Sequence, residues 1–137
     1  MTENILEKII KIKTEKIINL KKNIFLDSLN ELINKNKLFI NFKEIIVNNI
    51  KENKFSIIAE IKKASPSAGV IIKDYDPVEI ANIYNTNKTT CLSVLTEEDF
   101  FLGNLTDISK IKQKVNLPIL CKDFFIDTFQ IPLAKSY

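Results

Sequence analysis

Residues 55–69 read FSIIAEIKKASPSAG, and the first eight of them have the composition of a β-strand. Residues two apart in a strand share a face, so Ile58 lies on the same side as Glu60 and Lys62. Both faces are mainly apolar until the strand ends, which is typical of a parallel sheet covered on both sides. Charged groups are rarely buried in such a sheet unless they are paired or take part in chemistry. The carboxyl end of this strand is therefore a candidate functional site.

Strand and helix patterns alternate from residue 55 onward. The sequence predicts strands at 55–62, 91–96 and 118–124, separated by helices at 77–87 and 104–115. Asp76 and Pro77 supply an N-cap and a first-turn proline to the first of these helices, and Asn104 is the expected cap of the second. Strand starts about thirty residues apart are the repeat expected when eight βα units share the roughly 250 residues of a closed barrel. Three such strands fit here.

Three amphipathic helices are predicted before residue 55. The first covers Glu3 to about Asn23, the second covers 25–34, and the third begins at Asn41, whose spacing to Glu44 resembles a capping box. We interpret their lysine-rich faces as solvated surface. Membrane-surface binding by the first helix is the alternative, which its acidic residues and its lack of aromatic anchors disfavour.

Composition disfavours several classes of function. The 137 residues are 45% hydrophobic and 27% charged, as expected of one soluble globular domain. Twenty lysines are interspersed with seventeen acids, so the net charge of +3 gives little support to nucleic-acid binding. We also expect no membrane association, because no apolar stretch approaches the roughly 20 residues of a membrane span and the amino terminus lacks a signal-peptide pattern.

Cysteine and histidine usage restricts the chemistry. Cys91 and Cys121 lie thirty residues apart without metal-ligand spacing, so we expect reduced thiols, a cytoplasmic location and no metal site. The chain has no histidine. Proton transfer near neutral pH must therefore fall to Lys, Glu, Asp, Tyr or Cys side chains with shifted pKa values.

The three predicted strands all end in polar or charged residues: Glu60 and Lys62, then residues 96–99 (TEED), then Lys122. In right-handed βαβ units the strand ends lie at one rim, so Glu60, Lys62 and Lys122 are expected to approach one another. Each residue alone also has a structural explanation. Lys122 could be an ordinary rim lysine, and Glu60 with Lys62 a structural ion pair.

Several motifs together resemble one family, indole-3-glycerol phosphate synthase. They are AEIKKASPS at 59–67, LSVLTE at 92–97 and LCKDF at 120–124, and the similarity extends through 74–77 and 125–127 to 130–131. The resemblance implies an α/β fold, the (β/α)8 TIM barrel. On this basis residues 1–137 form one incomplete barrel domain, with a helical extension at 1–54 and the first three strands with their helices at 55–137.

The family closes and decarboxylates 1-(2-carboxyphenylamino)-1-deoxyribulose 5-phosphate to indole-3-glycerol phosphate, releasing carbon dioxide and water, with no metal or organic cofactor. By this resemblance Lys122 is the general acid that protonates the substrate carbonyl as the aromatic ring attacks. Lys62 faces the substrate carboxylate or phosphate, and Glu60 takes part in the proton transfers of dehydration. The implied substrate-binding residues are Ser65 and Pro66 in a loop over the substrate, and Phe101 and Phe124 around its aromatic ring.

The partners implied are a small phosphorylated aromatic substrate and a fused or associated phosphoribosylanthranilate isomerase domain.

The sequence also departs from the family. Five further strands, a downstream catalytic Glu, an Asn and glycine-rich phosphate loops are missing, Ala68 replaces a usual Lys, and Pro132 replaces a usual aromatic residue. Three parallel strands alone leave open edges. We therefore expect either an inactive amino-terminal part of a synthase or a non-catalytic remnant that associates through its strand edges.

Overall fold

The computed structural model describes residues 4–35 and 39–137. The helices are α1 (Ile5–Asn23), α2 (Leu26–Lys35), α3 (Phe42–Lys51), α4 (Pro77–Thr86), α5 (Thr106–Lys112) and α6 (Gln130–Ser136). The strands are β1 (Ile58–Ile61), β2 (Ala64–Ser65), β3 (Gly69–Val70), β4 (Cys91–Leu95) and β5 (Ile119–Lys122). The predicted helix start at Glu3 lies outside the described residues.

Strands β1, β4 and β5 form a parallel sheet in the order β1-β4-β5, which confirms the predicted βαβαβ arrangement. Glu60 is the register partner of Ser93, and Leu95 is the register partner of Lys122. Register partners share a face, and so do residues two apart in one strand. Glu60 and Lys122 therefore lie on the same face of the sheet.

The two faces of this sheet differ in burial. On one face Ile61, Leu92 and Val94 are completely buried, and Ala81 of α4 and Ile111 of α5 are equally inaccessible, as expected of helices packed against a sheet. On the other face, which carries Glu60 and Lys122, the two outer strands expose apolar side chains. Ile58 is 49% exposed and Leu120 is 47% exposed. Helices α4 and α5, which belong to the same compact unit as the sheet, thus pack on the face opposite Glu60 and Lys122.

Strand β1 is shorter than the predicted strand at 55–62. Phe55 is 96% exposed, and the pairing with β4 starts only where the Ile57 carbonyl accepts the N–H groups of Thr90 and Cys91. Just before this point Lys88 has a φ of 61°, so the chain turns and offers no extended residues opposite Phe55. The strand therefore begins near Ile58.

Side-chain caps begin several helices. Asp76 Oδ1 accepts the N–H groups of Val78 and Glu79 at 2.8 and 3.1 Å, as predicted for α4. The cap predicted at Asn104 is displaced by one residue, because Leu105 is already helical and occupies the position before Thr106. Asn104 Oδ1 still accepts the N–H of Thr106 at 2.9 Å, so it stabilises the first turn.

In the amino-terminal helices, Asn4 and Glu7 form a complete capping box at the start of α1. Asn41 Oδ1 accepts the N–H of Glu44 at 3.1 Å before α3, as the Asn-x-x-Glu spacing predicts. Pro132 occupies the first turn of α6, the part of a helix in which proline is tolerated. No helix in residues 4–35 or 39–137 is both long and apolar enough to cross a membrane.

The chain divides into two compact units, one within Met1–Lys37 with Asp123–Tyr137, and the other within Leu38–Lys122. The first contains α1, α2 and α6, with α2 in contact with α6. An ion pair in this unit joins Lys13 to Asp123, and both side chains are 9% exposed. The second unit contains α3, both sheets, α4 and α5. The predicted domain boundary between residues 54 and 55 stays a prediction.

Candidate active site

Glu60 links two lysines at the carboxyl ends of the parallel strands. Its Oε1 lies 2.6 Å from Lys62 Nζ, and its Oε2 lies 2.5 Å from Lys122 Nζ. The sequence predicted that these three residues would approach one another, and the structure brings them together with the carboxylate in the centre. Glu60 and Lys62 come from the end of β1, whereas Lys122 is the last residue of β5.

Hydrogen bonds to main-chain carbonyl oxygens fix both strand ends that carry these groups. The Tyr84 hydroxyl, from α4, donates to the Glu60 carbonyl oxygen at 3.1 Å. The Lys122 carbonyl oxygen accepts the N–H of Thr96 at 3.0 Å, just past the end of β4. The backbones that hold the two charges are therefore anchored to neighbouring elements, and only the side chains need to move to meet a ligand.

The electrostatics of Glu60 reflect its two lysine partners. Partial burial would raise the pKa of its carboxyl group, but hydrogen bonds and charge from Lys122 and Lys62 outweigh burial and lower that pKa below its ordinary value of 4.5. Glu60 is consequently a carboxylate at neutral pH. With two ammonium groups around one carboxylate, the cluster carries a net positive charge suited to an anionic ligand.

The cluster is accessible from solvent. The side chains of Glu60, Lys62 and Lys122 are 31%, 33% and 50% exposed. An ammonium group so placed can give up a proton and can also stabilise negative charge that develops on a ligand. A carboxylate in contact with both lysines can accept and return a proton. The arrangement is therefore capable of acid–base chemistry on an anionic compound.

Ser65 and Pro66 lie in a short hairpin that directly follows β1. Strands β2 and β3 pair in antiparallel fashion, and the Ser65 hydroxyl accepts the N–H of Ala68 at 3.2 Å across the turn. Gly69 has a φ of 67°, which explains the glycine at this position. The family resemblance implied a loop here but not the paired strands. Whether Ser65 and Pro66 cover a substrate stays a prediction.

The structure also reveals a functional candidate that the sequence reasoning did not single out. Glu97, directly after Thr96 at the end of β4, is only 1% exposed although it is charged. Its carboxylate accepts the backbone N–H groups of Asp99, Phe100 and Phe101 at 3.1, 2.7 and 3.0 Å. The run TEED contains three adjacent acids, and no periodicity distinguishes the buried one. The sequence does contain one signal, Gly103, which ends the same loop: a glycine in a loop often marks a place where two backbone segments approach closely.

The two predicted aromatic pocket residues lie in different units. Phe101 is half-buried in the loop after β4. Phe124 is also half-buried, and its carbonyl oxygen accepts from Gln130 Nε2 at 2.9 Å. Because Phe101 belongs to the unit within Leu38–Lys122 and Phe124 to the other unit, a shared pocket stays a prediction.

Cys121, the residue before Lys122, points to the opposite face of the sheet by strand alternation, as predicted. Its Sγ lies 3.4 Å from Thr96 Oγ1. Among the described residues, no group of three or more Cys, Asp or Glu side chains is arranged to hold a metal ion.

The parallel sheet with its connecting helices makes this chain an α/β protein. Its charged side chains lie at the carboxyl ends of the strands, where enzymes of this class place their active sites. A family model described as indole-3-glycerol phosphate synthase matches residues 6–137. The chain belongs to this family, whose members are carboxy-lyases of tryptophan biosynthesis with a (β/α)8 barrel fold.

Curated relatives agree with this assignment. The tryptophan biosynthesis protein TrpCF of Buchnera aphidicola subsp. Schizaphis graminum is 46% identical over the whole chain, which covers 29% of that protein. The indole-3-glycerol phosphate synthase of Prochlorococcus marinus subsp. pastoris is 43% identical over 97% of the chain and 44% of the relative. That of Carboxydothermus hydrogenoformans is 38% identical over 95% of the chain and 50% of the relative. The chain thus spans half or less of each of these relatives.

Proposed function

We propose that this chain supplies the amino-terminal helices and the first three βα units of an indole-3-glycerol phosphate synthase. The observation that carries the proposal is the contact of Glu60 with both Lys62 and Lys122 at the strand ends. In a barrel enzyme this end of the strands bears the catalytic groups. The reaction is ring closure and decarboxylation of 1-(2-carboxyphenylamino)-1-deoxyribulose 5-phosphate, a substrate that is aromatic at one end and anionic at both.

Each member of the cluster has a proposed role. Lys122 donates a proton to the substrate carbonyl oxygen while the ring carbon that bears the carboxylate attacks the carbonyl carbon. Loss of carbon dioxide then restores the aromatic system, and departure of the new hydroxyl as water completes the indole. Lys62 holds an anionic group of the substrate, and Glu60 exchanges protons during dehydration. The half-exposed state of Lys122 supports this assignment because a substrate can reach its ammonium group.

The remaining barrel strands must contribute the other catalytic and phosphate-binding groups, so we infer that residues 1–137 alone do not turn over substrate. Ser65 and Pro66 shape a loop above the site, and Phe101 and Phe124 contact the aromatic ring.

The chain is similar over its whole length to two proteins named TrpCF. This supports an isomerase domain fused to, or associated with, the synthase. The reduced thiols of Cys91 and Cys121 support a cytoplasmic location.

A second candidate function is that of a non-catalytic remnant that associates through its open strand edges. The exposed apolar side chains of Ile58 and Leu120 favour it, since they lie on β1 and β5, the two outer strands of the sheet. Reading the nucleotide sequence beyond the Tyr137 codon separates the candidates. A continuing frame with a strand-ending Glu and glycine-rich loops supports the enzyme, and an immediate stop supports the remnant.

The decisive experiment joins this chain, after Tyr137, to the part of the Schizaphis graminum TrpCF protein that follows its matched segment. We expect the fusion protein to form indole-3-glycerol phosphate, detected by its indole fluorescence, and we expect no turnover by the 137-residue chain alone. The matched control is the unaltered relative. An inactive, folded fusion protein beside an active control would refute the proposed function.

A further inference from the structure

Glu97 is a buried carboxylate whose charge is satisfied by backbone amides. Its Oε2 accepts from Phe100 N and Phe101 N, and its Oε1 accepts from Asp99 N. Burying a carboxylate is costly unless hydrogen bonds replace its water shell. Three N–H donors converging on one carboxylate provide that replacement and fix the three peptide units at once.

The loop from Glu97 to Gly103 is also closed at its far end. The Glu97 carbonyl oxygen accepts the N–H of Gly103 at 2.7 Å, so one residue holds both ends of the loop. Leu102 adopts a left-handed φ of 53°, a conformation that side chains other than glycine rarely take. A Cβ on Gly103 would lie 2.2 Å from the Leu95 carbonyl oxygen, so the chain returns directly against β4. These features restrict the loop to one backbone path.

This loop begins at the carboxyl end of β4, the middle strand of the sheet. Its neighbours β1 and β5 carry Glu60 and Lys122 at the same end. The loop therefore leaves the sheet between the two strands that bear the charged cluster. It presents two consecutive half-buried aromatic residues, Phe100 and Phe101, whose backbone N–H groups are those that Glu97 binds most closely.

We infer that Glu97 is a positioning residue for recognition of the aromatic half of the substrate. It acts through the amides of Phe100 and Phe101 and does not itself touch the substrate. The inference rests on the proposed function and deepens it, because it assigns to a buried carboxylate the placement of the aromatic pocket. A glutamine at 97 would replace one acceptor oxygen by an amide nitrogen, which cannot accept from the backbone. At least one loop N–H would then lose its partner.

The test compares Glu97→Gln with Glu98→Gln in the fusion enzyme described above. Both changes remove one negative charge from adjacent positions, but Glu98 is exposed whereas Glu97 is buried. The measurements are kcat and KM for the substrate, the Kd of anthranilate as an aromatic probe, and the Kd of inorganic phosphate. We expect Glu97→Gln to raise KM and the anthranilate Kd by about 10-fold or more, with kcat and the phosphate Kd changed by less than about 3-fold. Glu98→Gln should leave all four unchanged.

A purely structural role predicts a different result. Glu97→Gln would then lower the fraction of active enzyme, so kcat would fall while KM and the anthranilate Kd stayed constant, and the inference would be overturned. If Glu97→Gln does not fold, Glu97→Asp takes its place. This variant keeps the charge but shortens the side chain by one methylene group, and an unchanged KM would overturn the inference equally.

The outcome also separates this inference from the proposed function. A fusion protein that turns nothing over but binds anthranilate in a Glu97-dependent manner refutes the function and supports the positioning role. A fusion protein that is active with the same KM in both Glu97 variants supports the function and refutes the positioning role. Failure of the parent protein both to react and to bind anthranilate refutes both.

Discussion

Glu60 and Lys122 are separated by 62 residues in the sequence, yet Glu60 Oε2 lies 2.5 Å from Lys122 Nζ. The two residues belong to the outer strands β1 and β5, so their side chains meet across the middle strand β4. The contact depends on both outer strands pairing with β4 in the observed register, because a slip of one residue would turn either side chain to the opposite face. The ion pair can therefore form only when β1 and β5 are both paired with β4 in this register.

Lys122→Met in the fusion enzyme should abolish ring closure without unfolding the protein. Methionine keeps most of the side-chain volume but removes the proton donor, and general acid catalysis is typically worth about 10²–10⁴-fold in rate. Steady-state turnover, with a circular dichroism spectrum of each variant, provides the measurement. Lys114→Met is the matched control, since Lys114 is an exposed lysine beyond the end of α5 and its loss should not change turnover. Turnover by Lys122→Met equal to that of the parent would contradict the general-acid assignment.

Glu60→Gln should lower the free energy of unfolding at neutral pH, and this effect should disappear in acid. The lysines hold the native pKa of Glu60 below 4.5, so its ionised form stabilises the folded state above that pH. As the pH falls through the native pKa, the carboxylate is protonated and the stabilisation is lost. The pair is partly exposed, which limits the difference between parent and variant to about 0.2–1 kcal/mol.

Urea unfolding of the parent chain and the Glu60→Gln variant between pH 7 and pH 3 measures this difference. Lysine partners also lower the pKa values of Glu52 and Asp127. Both residues are present in the parent and in the variant, so their contributions to the pH dependence of stability cancel in the comparison. High salt should reduce the difference at pH 7 by screening the exposed charges. A difference that grows on acidification would have the wrong sign for this explanation.

Lys13→Met should destabilise the chain far more than Lys21→Met. Lys13 Nζ lies 2.8 Å from Asp123 Oδ1 with both side chains 9% exposed, whereas Lys21 pairs with Asp127 at 2.6 Å with 45% and 31% exposure. Removing one partner of a buried pair leaves an uncompensated charge and typically costs about 3–5 kcal/mol. The exposed pair should contribute only about 0–1 kcal/mol.

A double-mutant cycle tests the cause of this destabilisation. Adding Asp123→Asn to Lys13→Met should recover part of the lost stability, because no buried carboxylate then remains without its cation. The free energies of unfolding of the parent, both single variants and the double variant provide the cycle. Strictly additive losses would mean that the two residues act independently, and would contradict the ion-pair explanation.

The sequence predicted the parallel strands with their intervening helices, and the charged cluster, because these depend on patterns that are local in the chain. Two-residue alternation placed Glu60 and Lys62 on one face, and the βαβ handedness rule brought Lys122 to the same rim. The role of Glu97 could not be predicted in this way. Residues 97–99 are three adjacent acids, and only one of them, Glu97, is buried; its carboxylate accepts hydrogen bonds from the loop amides. Which acid does so depends on the close approach of Gly103 to Leu95, a tertiary feature that periodicity does not encode.

Gly103→Ala should destabilise the protein more than Gly69→Ala. A Cβ at Gly103 would lie 2.2 Å from the Leu95 carbonyl oxygen and 2.9 Å from the Thr96 Cα, both backbone atoms of or beside β4 that cannot rotate away. Relieving this overlap requires a backbone shift, which typically costs about 1–3 kcal/mol. A Cβ at Gly69 meets no atom within 4 Å, so only its φ of +67° penalises alanine, by about 1 kcal/mol. Urea unfolding measures both variants.

The same pair of variants bears on the loop that follows β4. Because Gly103 donates to the Glu97 carbonyl oxygen, displacement of Gly103 should also loosen the amides of Phe100 and Phe101, whereas Gly69→Ala should leave them protected. Hydrogen exchange of those two amides in each variant distinguishes the cases. Equal protection in both variants would mean that the loop is held by the Glu97 carboxylate alone and does not depend on the close return of the chain at Gly103.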